Sequence, residues 1–230
     1  MLNLGPEFFP MILAILCGLT FHEYAHAKVA ALAGDPTPAY YGRVTLNPLA
    51  HLDPLGTLMI VITVASGFGI GWGKPVLVDP SKMRNPRWDH FWSVAAGPLS
   101  NLIQAGVWAI VLRVMMISGA LPSDTPWAVL SGVEKGFLPM LLVFLIYFNI
   151  VLCLFNLIPF GPLDGHWMVG AFMPDNVRFA WYRFNREIGT FLLIGWVIYG
   201  QINPSLSLWN LLRIPLRFLF NFFMGSPPSP

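Results

Sequence analysis

The sequence predicts an all-α polytopic membrane protein. Three observations carry that prediction. The 230-residue chain is 56% hydrophobic. Only 10% of its residues are charged, against roughly 25% in ordinary soluble domains. Its mean hydropathy is +0.64, and its apolar residues gather in runs long enough to enter a bilayer. A net charge of +2 gives no basis for nucleic-acid binding. The 9 Trp and 18 Phe suit membrane interfaces.

The apolar runs cover residues 8–33, 55–72, 91–120, 137–158, 190–202 and 206–223. Spanning the hydrocarbon core takes about 20 helical residues, which the first, third and fourth runs supply. The first run has no basic start and carries Glu7, so it reads as a span and not as a cleavable signal peptide. Glycines crowd the end of the second run, which either crosses the membrane or enters and returns. The last run is interrupted by Arg213, Pro215 and Arg217 and reads as a sixth crossing or an interfacial helix. The expectation is about five to six transmembrane helices in one domain, residues 1–223, with a disordered tail over 224–230. Residues 43–46 and 74–78 alternate between Gly and Pro boundaries and are expected to be short membrane-associated strands. Cys17 and Cys153 lie in apolar runs and read as small buried hydrophobes.

Within the first run stand His22, Glu23 and His26. Ionisable groups at membrane depth are costly and usually functional. On a helix, residues i and i+4 share a face, so both imidazoles can bind one zinc. Glu23 is then placed as general base toward an activated water. A catalytic zinc site ordinarily takes three protein ligands. Asp164 is the candidate third, since Pro159, Gly161 and Pro162 stop the fourth run and give an extended approach to it. The bland reading of Asp164 is a turn residue after a helix.

Ligands of one metal share one depth. His22 and His26 lie late in the first run, and Asp164 follows the fourth, so the two helices must run in the same direction. That requires the second run to re-enter and return. Basic residues agree weakly. With a return, eight Lys/Arg face Lys135 alone; with a crossing, seven face two. Both arrangements satisfy the positive-inside rule.

The chain resembles the site-2 protease family of intramembrane zinc metalloproteases, in its short form without PDZ or CBS domains. The resemblance rests on His22-Glu23-Tyr24-Ala25-His26, the stretch 42–56, Gly71-Trp72-Gly73-Lys74-Pro75-Val76, Ala96-Gly97-Pro98-Leu99-Ser100-Asn101, and the stretch 156–165. It implies a catalytic core over about 8–170, one zinc held by His22, His26 and Asp164, and Glu23 as base. It implies membrane-protein substrates with a transmembrane helix, in regulated intramembrane proteolysis. The site is expected near the cytosolic face of a prokaryotic cell (inner) membrane. Asn156 matches a motif asparagine that either donates to the substrate carbonyl or oxyanion or caps broken helix. Asn101 either supports a metal ligand from behind or packs helices, and His51 either supports the site from behind, meets substrate or sits in an interfacial loop. Gly161 stands where many members have proline, which predicts a looser approach to Asp164. His166, directly after the Asp-Gly pair, is expected to crowd or tune the site. The competing readings are a zinc-binding membrane protein without catalysis and a metal-ion transporter.

Overall fold

A computed structural model describes residues 4–67, 69 and 71–225. Ten α-helices follow in order: α1 Phe8–Leu32, α2 Thr37–Tyr40, α3 Pro54–Ser66, α4 Trp88–Ile117, α5 Thr125–Leu130, α6 Phe137–Asn156, α7 Asp164–Ala171, α8 Asp175–Phe184, α9 Thr190–Ile202 and α10 Leu208–Met224. A π-helical turn, Asn185–Gly189, joins α8 to α9. Among the described residues three helices, α1, α4 and α6, are long and apolar enough to cross a membrane. The expected five to six is therefore not reached on length and apolarity. The α9 helix has 13 residues and α10 has 17, about 20 and 25 Å of rise. Of the expected tail, Met224 ends α10, and 226–230 lie outside the described residues.

The three long helices form the centre. Cys17, His22 and His26 of α1 meet Gln104, Asn101 and Ser93 of α4 in turn, so these helices are antiparallel. Gly18 of α1 lies beside Asn149 and Leu152 of α6, and His22 and His26 lie beside Asp164 just beyond it. Helices α1 and α6 therefore run the same way. Ala14, Ala105 and Ala109 are buried with Leu112, Val143, Ile146 and Ile150 in the main core. Small side chains at these positions let helices approach closely without a large loss of lipid contact elsewhere.

The second apolar run doubles back. Asp53 caps α3 by accepting from the Gly56 N–H at 2.8 Å. Gly67, at φ 72°, ends the helix in the left-handed region that favours glycine. The chain then returns along α3. Leu52 and Gly73 form an isolated antiparallel bridge, and the Lys74 N–H donates to the His51 carbonyl at 2.8 Å. Phe68 and Ile70 lie outside the described residues.

Residues 43–46 and 74–78 do not form the expected strands, and no strand occurs among the described residues. Side chains take the place of a ladder partner. The Arg43 guanidinium donates to the Lys74 carbonyl, and the Glu23 carboxylate accepts from the Val76 N–H. Pro75 has no N–H to give. Farther along, fully buried Asp35 accepts from the N–H groups of Thr37 and Asp79, fixing the end of α1 to the returning segment.

Candidate metal centre

His22 and His26 sit one helical turn apart on α1 and turn their Nε2 atoms toward the first residue of α7. The two Nε2 atoms are 3.0 Å apart. Asp164 Oδ2 is 3.2 Å from His22 Nε2 and 3.3 Å from His26 Nε2. Tetrahedral ligands at 2.0–2.1 Å from one zinc stand about 3.3 Å from each other. The triangle found here has edges of that length.

The proton positions support the same fit. His26 Nδ1 is 2.8 Å from the Ser93 carbonyl, which only accepts, so Nδ1 carries the hydrogen. His22 Nδ1 is 2.7 Å from Asn101 Oδ1. The amide nitrogen of Asn101 is committed to the Gly18 carbonyl at 3.1 Å and to Asn149 Oδ1 at 2.8 Å, so its oxygen faces the imidazole. The Asn149 amide nitrogen donates in turn to the Leu145 carbonyl at 2.7 Å. In its neutral form each imidazole therefore presents an Nε2 lone pair to the centre. Asp164 Oδ2 is buried and has no hydrogen-bond donor. Three such atoms within 3.3 Å of one another could hold a metal ion, and a two-nitrogen, one-oxygen set suits zinc.

Gly97 on α4 makes room for this arrangement. A Cβ there would lie 2.3 Å from His26 Nε2 and 2.7 Å from His22 Cε1. Pro98 follows it inside α4 and removes one helical N–H.

Asp164 reaches the centre through the turn after α6. The Gly161 N–H donates to Asn185 Oδ1 at 2.8 Å, and the Asn185 amide nitrogen donates to the Trp181 carbonyl at 3.1 Å. Proline at 161 would lack this donor, so glycine fastens the approach here where a looser one was expected. His166 has its Nδ1 on the Leu163 carbonyl, and burial lowers its pKa.

Glu23 faces the returning segment. Its Oε2 accepts from the Val76 N–H at 3.1 Å and lies 3.8 Å from an Arg43 guanidinium nitrogen. Burial lowers the Arg43 pKa, and the Glu23 carboxylate opposes the shift.

The remaining candidates separate clearly. Asn101 is fully buried against His22. Asn156 donates to the Leu152 carbonyl of its own helix at 3.0 Å and makes no hydrogen bond to the three ligand residues. His51 is fully buried in the loop ahead of α3. Its Nε2 is 2.7 Å from the Thr45 carbonyl, and its Nδ1 has no partner among the described residues. Sequence reasoning missed Ser93, Asn149, Asn185 and the contact of Arg43 with Glu23. A lone asparagine in the apolar α6 was a readable signal for Asn149. A backbone carbonyl acceptor such as that of Ser93 leaves no signal in sequence.

Helices at membrane length around an inward His/His/Asp triangle define a membrane-embedded metal-site protein. The model of peptidase family M50 matches residues 10–199, and the chain belongs to that family, the site-2 proteases that its motifs resemble. A Bacillus subtilis (strain 168) protein named "Putative zinc metalloprotease YwhC" is 36% identical over 168 residues, covering 73% of this chain and 71% of the relative. A Mycolicibacterium smegmatis protein named "Putative zinc metalloprotease Rip2" is 28% identical over 168 residues, covering 73% of this chain and 57% of that protein. No solved structure gives a significant match.

Proposed function

We propose that the chain is an intramembrane zinc metalloprotease that hydrolyses peptide bonds in or near transmembrane segments of membrane-protein substrates. One zinc is held by His22, His26 and Asp164, and Glu23 is the general base. The observation that carries this reading is the meeting of two Nε2 lone pairs and a donorless carboxylate oxygen within 3.3 Å, on helices of membrane length. Family membership and the names of both relatives support it.

A zinc bound there supplies Lewis acidity toward a water and the scissile carbonyl. The chain's own residues do the rest. Asn101 and the Ser93 carbonyl orient the two imidazoles, and Gly97 leaves them space. Glu23 accepts the proton from water and passes it to the leaving amine. Asn156 gives one amide hydrogen to the Leu152 carbonyl and keeps a second with which to meet the substrate carbonyl. Substrate helices hide their peptide bonds in internal hydrogen bonds, so some unwinding precedes cleavage. The extended segment 73–78 beside Glu23 offers backbone for that unwound stretch.

The domain reading is a single membrane unit over 1–223, in which α9 and α10 complete the bundle around the three long helices. Leu208 and Leu212 of α10 pack with Ile158 and Leu163, while Phe220 and Met224 pack in the main core. That course along α6 supports a membrane-traversing α10. The weight of Lys and Arg on the side of 34–90 and 159–189 supports a cytosol-facing site in a prokaryotic inner membrane.

The test is Glu23→Gln in protein reconstituted with zinc and a transmembrane substrate. Cleavage falls by at least about 10³-fold, the scale on which metal and general-base catalysis act together, while zinc content stays at one per chain. Persistent cleavage refutes the base assignment. A wild-type protein that binds zinc and cleaves no transmembrane substrate supports the non-catalytic reading instead.

A further inference from the structure

The segment that returns from the membrane hairpin is bolted to Glu23 by a side chain that the zinc chemistry does not use. Arg43 is 4% exposed. One of its terminal nitrogens donates to the Lys74 carbonyl and stands 3.8 Å from Glu23 Oε2. The same Oε2 accepts the Val76 N–H at 3.1 Å. Lys74 is in turn held by the His51 carbonyl at 2.8 Å, and the Arg43 N–H itself donates to the Pro38 carbonyl at 2.8 Å. Arg43 Nε is buried with no hydrogen-bond partner.

A buried guanidinium is costly unless its charge and donors are answered. Glu23 carries the carboxylate facing it. A carboxylate on two rotatable bonds beyond Cβ has several rotamers, and a general base must stay within hydrogen-bond reach of its proton. Here Oε2 is occupied from two directions, by the Val76 N–H and the Arg43 guanidinium. The base is thereby left one oxygen, Oε1, with which to meet water.

Resting on the assignment of Glu23 as base, we propose that Arg43 is its positioning residue. Arg43 fixes the rotamer of Glu23 through Oε2 and ties that rotamer to the Lys74 backbone. The base and the extended segment beside it then move as one body, so a substrate strand lying along 73–78 meets a carboxylate already in place. Lysine keeps the charge on a more flexible stem, without the planar guanidinium that fixes the direction of this nitrogen.

Arg43→Ala, Arg43→Lys and Glu23→Gln are compared in reconstituted protein on one transmembrane substrate. A base displaced by about 1 Å costs up to roughly 100-fold in rate, so Arg43→Ala is expected to lower kcat by about 10- to 100-fold. KM stays within about twofold because the residue acts through the base and not on uniform binding. Zinc content matches the parent, while the thermal midpoint falls because the Lys74 carbonyl and the Glu23 carboxylate lose a buried partner. Added guanidinium ion restores part of the activity of Arg43→Ala and none of that of Glu23→Gln. Arg43→Lys falls between parent and Arg43→Ala and carries the same test should the alanine variant not fold. Unchanged kcat, a rise in KM alone, or loss of zinc overturns the proposal. If Glu23→Gln retains activity, the base assignment fails. If Glu23→Gln is inactive while both Arg43 variants are fully active, only the role of Arg43 fails.

Discussion

An imidazole meets a metal through one nitrogen, and the other nitrogen decides whether the first has a lone pair to offer. For His22 that decision runs through Asn101, whose orientation is set by the Gly18 carbonyl and Asn149. Asn101→Ala therefore frees the His22 ring to choose the other tautomer and leaves Asn149 Oδ1 without its buried donor. Zinc affinity is expected to fall by about 10- to 100-fold, measured by competition with a chromogenic chelator, with Glu23 untouched. Gly97→Ala acts by volume instead. A methyl 2.3 Å from His26 Nε2 drives both rings off the centre, so zinc content and cleavage are lost together, and overpacking costs about 1–3 kcal/mol of stability. The pair His22/His26 was legible because helical spacing alone puts i and i+4 on one face. Gly97 and the Ser93 carbonyl were not, because their role exists only once α4 packs antiparallel to α1.

At the scale of elements, the second apolar run is the instructive case. Its composition fits a crossing and a return alike. The requirement that His22, His26 and Asp164 share a depth asked for the return; the chain leaves α3 at Gly67, and Gly73 pairs with Leu52, which sets the two ends of the run side by side. The same reasoning over-read the flanks. Alternation over 43–46 and 74–78 suggested strands, but periodicity cannot tell whether a backbone donor will find a backbone acceptor or a carboxylate. Glu23 and Arg43 supply the partners instead. Exposed Tyr41 and Lys74 provide the check. In a background with Cys17 and Cys153 replaced by alanine, Tyr41→Cys and Lys74→Cys are expected to react with an impermeant thiol reagent from the same side of the membrane. Labelling from opposite sides would mean that 54–72 crosses.

At the scale of the whole molecule, the metal centre and the main core occupy different levels of the same three helices. Leu112, Val143, Ile146 and Ile150 are fully buried in the core, whereas His22, His26 and Asp164 converge toward the other end, where α1 and α6 finish. Each imidazole is also held by a bond that needs no metal, to Asn101 or the Ser93 carbonyl. The fold is thus not organised by the ion in the way of a small zinc finger, where ligand binding is the folding free energy. Bound metal adds stability by mass action, about 4 kcal/mol when free zinc exceeds Kd a thousandfold. Stripping the protein with a strong chelator is therefore expected to abolish cleavage, lower the thermal midpoint and leave far-UV circular dichroism unchanged. Returning zinc should restore both activity and midpoint. Loss of the helical signal on chelation would show instead that the convergence of α1, α4 and α6 depends on the ion, and that the hydrogen bonds behind the two histidines cannot hold the centre alone.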